Sequence, residues 1–198
     1  MGTKPILFNT ENVRALLEGR KTVTRRVVKP QPLDKPMVFN DDEEGINIVC
    51  HIAGKEVLYN YFPPYQPGDI LWVRETWAKS MAGTFMYRAD DKAIMVERWH
   101  PSIHMPREAA RIFLRVTGVR VERLQDINGL HAKEEGCEGY VHINPLYGFP
   151  ETVHNFKTLW DSTLKPADRP VYGWDANPWV WVIEFERISK CGEDVHTE

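Results

Sequence analysis

The chain has 198 residues, 42% of them hydrophobic, and a formal net charge of -3. That length fits one domain with insertions, and the apolar share supports a core that needs neither disulfides nor metal. Three scattered cysteines, Cys50, Cys137 and Cys191, argue against a disulfide framework, and no apolar run reaches the roughly 18 residues of a membrane span. Nothing behind Met1-Gly2-Thr3-Lys4-Pro5 reads as a signal peptide, so the expected compartment is the cytoplasm.

In chain order, Ile6-Leu7-Phe8 is a short extended segment, and Asn9 or Thr10 offers an N-cap to a helix carrying Val13, Leu16 and Leu17. Gly19 stops that helix, and Lys21 to Val28 is rich in strand formers. Prolines bracket an excursion at about 29–67, with an acidic turn at Asp41 to Gly45 and a hairpin, Ile46 to Ile52 and Val57 to Tyr61, around Gly54. Pro67-Gly68-Asp69 is a tight turn, followed by a strand from Ile70 to Trp77 and a weaker one from Thr84 to Tyr87. Pro101 and Pro106 forbid a regular helix in the next segment. Arg111 to Leu124 is a long strand with a bulge or bend at Gly118. Asp126 or Asn128 caps a short helix running to Glu135 and stopped by Gly136. After a loop at 137–150, Val153 to Leu164 predicts a helix with Phe156, Leu159 and Trp160 on one face. Trp179 to Glu186 is the closing strand, and the alternation of Trp179, Trp181, Ile183 and Phe185 marks a core face. The expected class is α+β, a small mixed-sheet β-barrel with short helices packed on it.

Charge is uneven along the chain. Arg14, Arg20, Lys21, Arg25, Arg26 and Lys29 fall within sixteen residues that hold one acid, Glu18, which leaves 19 basic and 27 acidic residues elsewhere. A positive patch on an acidic body reads either as an anion site, such as one for phosphate, or as a solvated basic face. Lys21 and Thr24 form the sharpest pair within it. A lysine whose pKa is depressed by burial or by neighbouring cations can act as a base, and a threonine hydroxyl needs one to become a nucleophile. In a regular strand the two side chains point to opposite faces, so they meet only if Lys21 still lies in the Gly19 turn or the strand bends.

Leu17-Glu18-Gly19-Arg20-Lys21-Thr22-Val23-Thr24-Arg25-Arg26 resembles the Gly-x-Lys-x-x-x-x-Arg signature of the ASCH domain superfamily. Pro67-Gly68-Asp69-Ile70-Leu71-Trp72-Val73, Ala132-Lys133-Glu134-Glu135-Gly136 and Trp179 to Phe185 are similar to that family's second strand, its helix ending in Glu-Gly and its closing strand, in the same order. The match is closest to longer ASCH proteins of phages and bacterial genomes, which carry a segment like Trp99 to Arg107. The resemblance implies one ASCH-type domain over 1–198, with a PUA-like barrel, insertions at about 29–67, 79–106 and 137–150, and a cleft for RNA or a nucleoside. It further implies an amidohydrolase of the kind that deacetylates 4-acetylcytidine, with Lys21, Thr24 and Glu135 as its catalytic residues. Lys21 would deprotonate Thr24, and Glu135 would handle water or the leaving amine. Glu134, next in line, is the other candidate carboxylate. A non-catalytic module that binds RNA or a nucleotide in the same cleft is the alternative. No cofactor is implied.

Arg20, Arg25 and Arg26 are candidates for substrate or RNA contact, with Glu75, Trp99 and Arg107 beside them. Glu75 sits in a strand and either lines the cleft or faces solvent. Trp99 lies on a proline-broken loop, where an aromatic ring can stack on a base, whereas Trp72 reads as core. Arg107 could extend the basic patch or pair with a local acid. His100 and His104, and Cys50 with His51, have no spacing that converges on a metal, and none is expected.

Overall fold

The computed structural model describes residues 2–32, 37–41, 45–52, 55–90, 96–146 and 148–189, with 37–60 as backbone elements only. Strand β1 (Thr3–Leu7) leads into helix α1 (Thr10–Leu17). Asn9 caps α1 by accepting from the Asn12 amide at 2.9 Å, and Gly19 leaves the helix at φ +72°. Strand β2 (Val23–Val27) follows, then a three-stranded unit, β3 (Met37–Asp41), β4 (Gly45–Ile52) and β5 (Lys55–Asn60), in that order. The expected hairpin is β4–β5, with β3 added as a third strand. The acidic turn's residues 42–44 and the hairpin tip at 53–54 lie outside the described residues.

The strand expected over Ile70 to Trp77 is two elements, β6 (Ile70–Arg74) and β7 (Trp77–Lys79), with β7 paired to β8 (Phe85–Tyr87). It breaks at Glu75, whose amide donates to the Met105 sulfur at 3.1 Å instead of continuing the ladder. Strand β9 (Phe113–Arg123) carries the expected irregularity: its register against the last strand skips between Gly118 and Val116. Helix α2 (Gly129–Glu134) is capped by Asn128 and ends on Glu135 and Gly136, the glycine at φ +90°. Two short strands, β10 (Ile143–Asn144) and β11 (Phe149–Pro150), precede α3 (Glu151–Thr163), α4 (Arg169–Tyr172) and β12 (Trp179–Ile188).

The fold is mixed α+β around a five-stranded sheet ordered β1-β6-β9-β12-β2. β1 runs parallel to β6, and every other pairing in this sheet is antiparallel. One face packs against α1 through Ile6, Val13, Leu16, Val73, Ile183 and Phe185. The opposite face of β12, Val180 and Val182, packs against Phe156 and Trp160 of α3. Burial on both sides explains the unbroken apolar run of β12. The closed barrel expected from sequence is not found: no ladder joins β1 to β2 among the described residues. The two edges are instead bridged by one side chain. Arg26 of β2 donates to the Leu7 carbonyl of β1 at 3.1 Å, and its guanidinium lies 5.3 Å from the centre of the Phe8 ring. Among the described residues no helix is long and apolar enough to cross a membrane.

Candidate functional site

The unzipped edge of the sheet opens a cavity of about 500 Å³. The end of β1 and the start of α1 form one wall with Leu7, Phe8, Asn9 and Asn12. The C-terminal half of α3 forms another with Phe156, Leu159, Trp160 and Thr163. β2 lies between them and presents Thr24, Arg25 and Arg26, with Lys21 and Glu135 in the same lining. Ser102 reaches it from a single-turn 3-10 helix, Ser102–His104, inside the expected 79–106 insertion.

Lys21 and Thr24 share this cavity because Lys21 is not part of β2. Its amide bonds to the Ala15 carbonyl in the Gly19 turn, and it makes an isolated bridge with Glu135. Two helix ends therefore meet here. The Glu18-Gly19 end of α1 and the Glu135-Gly136 end of α2 abut so closely that a Cβ on Gly136 would stand 2.6 Å from the Ala15 Cβ. Glu135 is 4% exposed and lines the cavity, whereas Glu134 is exposed on α2.

Lys21 Nζ donates to Glu135 Oε2 at 2.6 Å and to the Glu135 carbonyl at 2.9 Å. Arg25 donates to the other oxygen, Oε1, at 3.1 Å, and to Glu122 Oε1 through Nε at 3.0 Å and Nη2 at 2.6 Å. Burial pushes the Lys21 ammonium below the ordinary lysine value, although the Glu135 carboxylate pulls the other way. The Phe8 ring lies near Lys21 and Arg26, 5.6 Å from Lys21 Nζ. Burial, together with the Glu135 carboxylate, pushes the neighbouring Cys137 thiol up to about 12, so it is neutral and inert at pH 7.

Thr24 is buried in the same wall, but no hydrogen bond joins it to Lys21 or Glu135. Its Oγ1 accepts from Arg26 Nη1 at 2.9 Å. Arg26 further donates to the Arg25 and Leu7 carbonyls. The remaining candidates lie outside the lining. Arg20 sits at the helix junction, donating to Glu18 at 2.7 Å and to the Gly136 carbonyl at 2.6 Å. Glu75 is 1% exposed and held side-on by Arg111, Nε to Oε1 at 2.8 Å and Nη2 to Oε2 at 2.9 Å. Arg111 also pairs with Asp90 and lies over the Tyr87 ring, so this cluster ties the residue after β6 and the segment before β9 to the end of β8. Trp99 is half-buried with Arg88 against its ring, and Arg107 is exposed on a 3-10 turn. Trp72, expected in the core, is half-buried under Arg74. His100 stacks on Trp77, and no metal-holding cluster occurs among the described residues; the side chains of Cys50 and His51 are outside them.

Sequence reasoning missed Glu122 and the walls of the cavity. The Arg120-x-Glu122 spacing, which puts both charges on one face of β9, was the available signal for the first. The apolar face of α3 was recognised as a face, but its role as a cavity wall depends on the sheet edge it leans over. No family model, curated protein or solved structure matches this chain.

Proposed function

We propose that the chain is an ASCH-type, PUA-like domain whose cavity hydrolyses the amide of an N4-acylated cytosine nucleoside such as 4-acetylcytidine. The observation that carries this reading is the buried 2.6 Å pair of Lys21 and Glu135, far apart in sequence, in the wall of a nucleoside-sized cavity that also presents Thr24. Lys21, once its Nζ moves off Glu135 and is neutral, takes the Thr24 proton. Thr24 Oγ1 then attacks the acyl carbon, and the carbonyl π pair moves onto oxygen. Collapse breaks the C–N bond, and the leaving amine takes the proton from Lys21. Water next attacks the Thr24 ester, releasing the carboxylate and restoring the hydroxyl. Glu135 anchors Lys21 in the resting site and, once Lys21 has moved, takes the proton from the attacking water and passes it to the departing Thr24 oxygen. The apolar face of Phe156, Leu159 and Trp160 gives the base a surface to lie on.

A binding-only module would read RNA phosphates through Arg25 and Arg26. That reading has less support, because the Arg25 side chain is fully buried and committed to two carboxylates. The test is incubation of the purified chain with 4-acetylcytidine, followed by chromatography for cytidine and acetate. Turnover that rises with pH through a lysine-type ionisation below the usual range, and its loss in Lys21→Ala, are the expected results. Intact substrate after prolonged incubation would sink the reading.

A further inference from the structure

Resting on that reading, we infer that Asn12 and Ser102 form a ribose subsite at the cavity mouth, so that the ligand is a free ribonucleoside held by its sugar hydroxyls as well as by its base. Burial orders the lining by depth. Lys21, Thr24 and Glu135 are buried at the floor, whereas Asn9, Ser162 and Thr163 are exposed at the rim and Asn12 and Ser102 are half-buried. The polar groups of the rim differ in what they already bind. Asn9 Oδ1 accepts the Asn12 backbone amide as the cap of α1. The Ser162 and Thr163 hydroxyls donate back to α3, to the Leu159 carbonyl at 2.6 Å and the Trp160 carbonyl at 2.7 Å. The Asn12 carboxamide and the Ser102 hydroxyl make no hydrogen bond among the described residues. Half-buried polar groups have lost part of their water, and a ligand that hydrogen-bonds them replaces it.

Position points the same way. In an N4-acylated cytidine the acyl amide leaves the pyrimidine from C4 and the sugar leaves it from N1, on the opposite side of the ring. With the acyl carbon at Thr24 on the floor, the sugar points to the mouth. A chain of contacts carries the wall from Thr24 outward to Ser102. Arg26 donates to Thr24 Oγ1 and to the Leu7 carbonyl, and Arg74, the register partner of Leu7, donates to the carbonyl of Ile103 beside Ser102. The turn is fixed on both sides. His100 and Trp77 exchange both backbone hydrogen bonds, and the Met105 sulfur, 1% exposed, accepts the Glu75 amide. Ser102 is therefore held in place before a ligand arrives, which lowers the cost of binding. A carboxamide offers a donor and an acceptor in one plane, and each of two vicinal hydroxyls both donates and accepts, so Asn12 suits the 2′- and 3′-hydroxyls. Ser102 adds a hydroxyl from a separate element. These rim side chains carry no charge, which favours neutral hydroxyls over the phosphates of a nucleotide or an RNA strand.

The experiment titrates cytidine, 2′-deoxycytidine and cytosine into the full chain by calorimetry, and measures kcat/KM for 4-acetylcytidine beside 4-acetylcytosine. Cytidine is expected to bind about 10- to 100-fold more tightly than cytosine, with 2′-deoxycytidine between them. Asn12→Ala and Ser102→Ala are each expected to weaken cytidine about 3- to 10-fold and to narrow its advantage over cytosine. The cap of α1 uses the backbone amide of residue 12, so Asn12→Ala keeps it, and thermal melting of both variants checks the fold. A wild type that binds cytidine no better than cytosine overturns the inference, as do folded variants that keep the full wild-type preference. Equal kcat/KM for the two acetylated substrates overturns it too, and the hydrolase reading then stands without the sugar site. If 4-acetylcytidine stays intact while cytidine binds through Asn12 and Ser102, the hydrolase reading fails and the ribose subsite stands.

Discussion

Replacing Glu135 with alanine tests the energetics of the site without requiring any substrate. The carboxylate accepts from Lys21 at 2.6 Å and from Arg25 at 3.1 Å, and all three side chains are at most 5% exposed. Its removal leaves Lys21 with one acceptor, the carbonyl of the same residue, while Arg25 keeps Glu122. Breaking a buried pair by deleting one partner costs about 3–5 kcal/mol. Because Arg25 retains a carboxylate, the lower end is expected, about 3 kcal/mol, or a fall in Tm of roughly 10 °C for a chain of this length. Urea unfolding at pH 7 would show it as a lower midpoint at unchanged slope. The loss is expected to shrink as pH rises. In the folded variant Lys21 sheds its proton below the 10.5 of the unfolded chain, so between those values the unfolded state binds more protons and stability climbs with pH. The double substitution Lys21→Met, Glu135→Leu is expected to recover most of the loss, because apolar residues of similar volume substitute well for a buried pair. A Glu135→Ala protein within 1 kcal/mol of wild type at every pH would refute the claim that this pair is buried and energetically coupled.

Asn9→Ala removes the cap of α1 and is expected to cost about 1 kcal/mol in the same urea assay. Gly136→Ala puts a Cβ at φ +90° and 2.6 Å from Ala15 Cβ, so it is expected to cost at least the 1–3 kcal/mol of backbone strain, read as a lowered melting temperature. Cys137 is expected to resist iodoacetamide at pH 8 in the folded protein and to react in urea, measured by peptide mass spectrometry. Asp69 is desolvated, but hydrogen bonds from Lys4, Gly2 and Gln66 still hold its carboxyl below the ordinary value. Its contribution is present at neutral pH and lost as pH falls through that lowered pKa, so Asp69→Asn is expected to flatten the acid limb of stability against pH.

Local signals in the sequence carried a good part of this structure. Asn9 and Asn128 cap the helices that Gly19 and Gly136 end, and β9 bends where Gly118 lets Glu184 pass its backbone. These features are decided within a few residues, which is the range of propensity and periodicity. The break at Glu75 was not legible, because it depends on a sulfur thirty residues away. Nor was the open edge between β1 and β2, which depends on pairings between strands far apart in sequence. Trp99 looked free on its loop, and only the fold shows Arg88 against its ring. Arg25 reads in the sequence as a contact for substrate or RNA, and only the register of β2 against β12 shows it turned inward, toward Glu122.

The meeting of Lys21 with Glu135 lies between these cases. Each residue stands one or two positions from the glycine that ends a helix, and a helix end presents carbonyls without intrahelical partners. At this junction those carbonyls are answered by the three residues that follow the Gly19 turn. Arg20 and Lys21 amides bond to the Ala15 carbonyl, Lys21 Nζ to that of Glu135, the Thr22 amide to that of Glu134, and Arg20 Nη1 to that of Gly136. The negative ends of two helices converge where two cations sit, which favours the charged side chains there. The Lys-Glu pair is therefore not an ornament added to the fold. The same bonds that dock α1 against α2 set the position of Lys21 before any ligand arrives, so a change that loosens the dock must move the reacting groups as well.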